Sequence, residues 1–73
     1  MKTYLNVHFS SDGAKPSVVR QALSDLGFIA MKGAHDFAYE WPGNATIEDV
    51  LAFADRIHDE LEGMGVLFQL ETP

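Results

Sequence analysis

The sequence predicts a single α+β domain whose elements follow the order strand, helix, strand, strand, helix, strand. Three observations predict it. Two amphipathic helical segments are each stopped by glycine, the first at Gly27 and the second at Gly63 and Gly65. Each is followed at once by an apolar run of strand length, from Phe28 and from Val66. Two further runs of alternating character open the chain and precede the second helix. At 73 residues the chain is one domain, 1–73, because a chain of this size buries only roughly 60% of its unfolded surface and has no room for a second core.

Thr3 to Phe9 alternates, with Leu5, Val7 and Phe9 on one face and Tyr4, Asn6 and His8 on the other, as a half-buried strand requires. Ser10 to Lys15 has the composition of a loop, and Pro16 suits the first position of a helix, where its missing N–H has no intrahelical partner. From Pro16 to Leu26 the residues Val19, Ala22, Leu23 and Leu26 recur at helical spacing, and Gly27 supplies the left-handed cap. Phe28 to Lys32 reads as a short strand, Lys32-Gly33-Ala34-His35 as a tight hairpin turn, and Asp36 to Trp41 as the third strand. After Pro42-Gly43-Asn44, Thr46 is an N-cap with acidic Glu48 and Asp49 in the first turn. The second helix is expected to bury Ile47, Val50, Leu51, Ala54, Ile57 and Leu61, leaving Phe53 off the main stripe. Val66, Phe68 and Leu70 alternate with Leu67, Gln69 and Glu71 in a last strand before Thr72 and Pro73.

This order at this length resembles the ferredoxin-like split sandwich: a four-stranded antiparallel sheet, strand order 4-1-3-2, with two helices on one face. Strands one and three are expected side by side and parallel at the centre, aligning Tyr4 with Asp36, Asn6 with Ala38 and His8 with Glu40. Strand four is expected to run oppositely, with Leu67 beside His8, Gln69 beside Asn6 and Glu71 beside Tyr4. The odd-numbered side chains of strands one and three then lie beneath the helices, and a polar face stays open.

Composition excludes several chemistries. With no cysteine there is no thiol nucleophile, redox couple or zinc ribbon. Eleven acidic residues against five basic ones give a net charge of −6, and the basic residues are scattered singly, so neither nucleic acid nor an anionic membrane surface is an expected partner. No run reaches the roughly 20 apolar residues that span a bilayer. A soluble cytoplasmic protein is expected, with stability of roughly 4–11 kcal/mol by length.

Three constellations are candidates for function. His8 beside Glu40 on the open face would pair imidazolium with carboxylate; as an exposed cross-strand contact it is worth at most about 1 kcal/mol. No metal site is expected, because His8, His35 and His58 lack converging spacing, and no cofactor is expected. Trp41 at a strand end and Phe53 off the helix stripe would form an interaction patch if both were exposed. Phe37, Tyr39 and Trp41 alternate like the base-stacking platform of RRM domains, yet that parity would bury Glu40 unpaired, so the stripe is assigned to the core.

The third constellation is the loop Ser11, Asp12, Gly13 and Lys15 at the start of the first helix, where free N–H groups favour an anion. With Ala22-Leu23-Ser24-Asp25-Leu26-Gly27 at the helix end, the Asp12-Gly13 pair and the order of elements, the chain resembles ACT domains. That resemblance implies an amino-acid or carboxylate ligand held by this loop, although the Pro-Gly step of that family is missing. The leading expectation is a non-catalytic module that binds another protein or a second copy of itself; the alternative is an ACT-like small-ligand binding module.

Overall fold

The computed structural model describes all residues, Met1 to Pro73. It contains β1 (Lys2–His8), α1 (Pro16–Asp25), β2 (Ile29–Ala30), β3 (Phe37–Glu40), α2 (Ile47–Leu61) and β4 (Leu67–Glu71). The strands form one antiparallel sheet in the order β2-β3-β1-β4, which from the other edge reads β4-β1-β3-β2.

The expected parity holds. Thr3, Leu5 and Val7 of β1 and Phe37 of β3 are buried against Val19 and Leu23 of α1 and Phe53, Ile57 and Leu61 of α2. Lys2, His8 and Glu40 are exposed on the other face. The β1–β4 register is also the expected one, with Tyr4 opposite Glu71, Asn6 opposite Gln69 and His8 opposite Leu67.

The relation of β1 to β3 corrects the expectation. They are antiparallel, pairing Lys2 with Glu40, Thr3 with Tyr39, Tyr4 with Ala38 and Leu5 with Phe37. The physical reason lies in the connections. A helical crossover returns the chain to the same end of the sheet, so β2 runs parallel to β1; the β2–β3 hairpin then reverses direction and leaves β3 opposed to both.

The central hairpin is shorter and more looped than a two-residue turn allows. Met31 N–H donates to the Asp36 carbonyl at 2.8 Å, so residues 32–35 form the loop and β2 keeps two residues. Asp36 stops pairing through its backbone alone. Its N–H donates to Asn6 Oδ1 and its Oδ2 accepts from Val7 N–H, both at 2.9 Å, which replaces the next rungs of the ladder by side-chain bonds.

Both helices are fixed at their ends by local chemistry. α1 closes with Gly27 N–H on the Ser24 carbonyl and Phe28 N–H on the Leu23 carbonyl, a Schellman motif that requires the positive φ of Gly27, here 103°. Phe28 is thereby turned into the core. α2 opens on a capping box: Asp49 N–H donates to Thr46 Oγ1 at 3.1 Å, and Thr46 N–H donates to Asp49 Oδ2 at 2.9 Å.

α2 is rotated from its expected orientation. Phe53 is only 5% exposed, whereas Ile47 and Leu51, assigned to the buried stripe, are 72% and 60% exposed. The rotation follows from aromatic packing. The Phe53 ring lies 4.4 Å from that of Tyr39, 5.3 Å from that of Trp41 and 5.5 Å from that of Phe28, so it sits at the centre of an aromatic cluster.

Candidate functional site

The expected acid–base pair does not form. Antiparallel pairing puts Glu40 opposite Lys2 and leaves His8 at the far end of β1, opposite Leu67 of β4. Glu40 lies instead 3.7 Å from the amino group of Met1.

A different histidine occupies the open face. His35, carried by the β2–β3 loop, stacks on Tyr4 with ring centroids 4.4 Å apart and planes at 17°. Its Nε2 is 3.6 Å from Oε2 of Glu71, the β4 residue opposite Tyr4. The loop therefore lays an imidazole across the middle of the sheet, which strand alternation alone does not signal.

The Trp41–Phe53 patch is not an exposed one. Phe53 is buried beneath Trp41, and the indole Nε1 donates to Oγ1 of the buried Thr3 at 2.8 Å. Trp41 is half-buried and serves as the lid of the aromatic cluster. Arg56 covers the cluster from solvent, its guanidinium carbon 5.9 Å from the Phe53 centroid.

The loop before α1 is committed to the fold. Asp12 N–H donates to Ser10 Oγ, Gly13 N–H to the Ser10 carbonyl and Ala14 N–H to the Met64 carbonyl. Three of the loop's amides are thus engaged. Gly13 also lies against the α2–β4 connection so closely that a Cβ there would be 2.5 Å from the Met64 carbonyl oxygen. Ser11 and Lys15 are exposed on either side of this contact, and Lys15 is the N-cap of α1 without a side-chain bond.

At the end of α2, His58, Asp59 and Glu62 bring an imidazole and two carboxylates within 4.8 Å of one another. Sequence spacing among the three histidines gives no sign of this set, which joins two residues of the last turn of α2 to its C-cap, Glu62. All three are exposed, and a solvated acidic helix end has this composition without any ion.

The most distinctive surface is the β4 side. β4 is an edge strand whose register to β1 is continuous, so it carries no bulge, and its Leu-Phe-Gln-Leu-Glu sequence has no lysine or proline. Leu67 is 75% exposed on the open face. On the helix face, α2 runs the length of the strand: Ile47 and Val50 share a cleft with Thr72 and Pro73, and His58 and Leu61 share another with Val66 and Phe68. The flank of α2 that looks past β4 is thus the row Ile47, Leu51, Ala54 and His58, at spacings of four, three and four. No helix is long and apolar enough to cross a membrane.

No protein-family model matches this chain, and no curated protein or solved structure matches it significantly.

Proposed function

We propose that the chain is a ferredoxin-like, non-catalytic module that self-associates, pairing β4 with β4 of a second copy and α2 with the second α2. The observation that carries this reading is the unguarded edge. Natural sheet edges are blunted by lysine, proline, bulges or a covering segment. β4 has one charge, Glu71 at its last position, and an exposed Leu67 at its first.

The edge is self-complementary. A two-fold axis through Gln69 sets Phe68 opposite Leu70 of the second copy and Leu67 opposite its Glu71, so no like charges meet. Joined strands lie about 4.8 Å apart. Helices that each overhang their own β4 then approach the roughly 8–10 Å spacing of packed helices, with Ile47, Leu51 and Ala54 between them. The result is an eight-stranded sheet with four helices on one face. A small domain gains stability from such burial.

Sedimentation velocity across a concentration series tests the proposal. The expected result is a mass that rises to that of a dimer, with Leu67→Lys and Leu51→Glu each holding the chain as a monomer of unchanged circular dichroism. A monomeric wild type at high micromolar concentration, or a dimer indifferent to both substitutions, overturns it.

A further inference from the structure

On the opposite side of the molecule from β4, the sheet leaves part of α1 uncovered. β2 has two residues, so beyond Ala30 no strand lies beneath the outer flank of α1, and a cleft of about 480 Å3 opens there. Its floor is Val7 and Phe37, both buried; its rim is Phe9 and Met31, both large apolar side chains left partly in solvent. Phe9 is there because β1 ends at His8, one residue before the alternation does.

Two charged groups line this cleft, Arg20 and Asp36. Asp36 is engaged, its Oδ2 accepting Val7 N–H at 2.9 Å and fixing the β1–β3 junction. Arg20 is exposed and has no carboxylate within ion-pair distance; the two ion pairs of the molecule involve Met1 with Glu40 and His35 with Glu71. Arg20 and Asp36 balance, so in a chain of net charge −6 the cleft is locally neutral and its guanidinium is not held by a carboxylate.

We propose that this cleft binds a small organic carboxylate with an apolar body, such as an arylacetate or a branched-chain acid. The guanidinium offers two parallel N–H donors that match a carboxylate, and the apolar body displaces water from Phe9, Met31 and Phe37. The volume falls within the roughly 300–1,000 Å3 of small-molecule sites. This site is separate from the loop Ser11 to Lys15, whose central amides are already bonded, and its occupancy is independent of the β4 edge.

Amide NMR titration of the full chain with phenylacetate tests it, with phenylacetamide as the uncharged isostere and phenylalanine as the zwitterion. The expected result is a saturable shift of the Ser17, Arg20, Met31 and Phe37 amides with phenylacetate, weakened about tenfold or more for phenylacetamide and for Arg20→Gln. Because Arg20 is exposed, that variant keeps the wild-type spectrum elsewhere. Absence of saturable shifts, equal binding of the amide, or unchanged affinity in Arg20→Gln overturns the proposal, as does binding of phenylalanine alone. Repeating the titration in Leu67→Lys separates this outcome from that of self-association, since the cleft site predicts the same affinity in the variant.

Discussion

The indole Nε1 of Trp41 donates to Oγ1 of Thr3 at 2.8 Å, and the same hydroxyl lies 2.9 Å from Oγ1 of Thr72. A single buried hydroxyl thus ties the end of β3 to β1 and to the segment following β4. Thr3 is the only polar residue among the buried ones, and its position is set by strand parity. Thr3→Val leaves the indole N–H without its acceptor in a part-buried site, and Trp41→Phe leaves the Thr3 hydroxyl with Thr72 alone. Thr3→Val and Trp41→Phe are each expected to cost about 1–2 kcal/mol in urea unfolding. The double variant should cost less than their sum, with a coupling of about 0.5–1.5 kcal/mol; strict additivity would show that the contact carries no weight.

Phe53 and Leu51 are two positions apart on α2 and should behave oppositely. Phe53→Ala removes the centre of the aromatic cluster and is expected to cost about 3–5 kcal/mol, a large share of what a chain of this length has. Leu51→Ala should change monomer stability by no more than about 0.5 kcal/mol. Thermal melts of both variants in the Leu67→Lys background check the contrast without interference from association.

Gly13→Ala places a methyl carbon 2.5 Å from the Met64 carbonyl oxygen, and both are backbone-anchored, so the two loops must part. A loss of about 1–3 kcal/mol is expected. Gly43→Ala meets nothing within 4 Å, and it should be neutral or stabilise by up to about 1 kcal/mol through a less mobile unfolded chain. Chemical denaturation midpoints give the comparison directly.

Self-association should respond to salt in a definite direction. Each copy carries −6, and the contact row Ile47, Leu51, Ala54 and Leu67 is uncharged, so the charges repel from a distance and no ion pair crosses the contact. Screening over a Debye length of about 8–10 Å relieves that repulsion. The dimer fraction in sedimentation equilibrium should rise from low to moderate sodium chloride; a fall would indicate an attractive ionic contact instead.

The stack of His35 on Tyr4 predicts a spectroscopic signature. With centroids 4.4 Å apart, the imidazole ring protons of His35 lie in the shielding cone of the phenol. They should resonate upfield of those of His8 and His58 and move back in Tyr4→Leu. Equal positions for all three histidines in the wild type would mean that the loop does not rest on the sheet.

What sequence could reveal here followed from period. Alternation in β1 and β4 decides which side chains face the helices, and the β1–β4 register was legible because both strands present one polar face. Alternation carries no direction, however, and Tyr4 faces the same side whichever way β3 runs. The direction comes from the crossovers, and only a β3 parallel to β1 would set His8 beside Glu40. The rotation of α2 was hidden for a related reason. The helix has apolar residues on two flanks, and the choice between Phe53 and the Ile47–Leu51 pair is made by Phe28, Tyr39 and Trp41, which lie elsewhere in the chain. The cleft at Arg20 and the reach of His35 both depend on how far β2 extends, and the apolar run Phe28 to Lys32 does not disclose that only two of its residues pair.

The close approach of Gly13 to the backbone of Gly65 bears on how the chain reaches its native state. One glycine precedes the first helix and the other follows the second, so the turn on each side is completed by the other and neither has its final shape alone. That junction joins parts remote in sequence and must await the entropy loss of closing most of the polypeptide into a loop. Late formation of this junction predicts that slackening it hastens unfolding and leaves the folding rate unchanged.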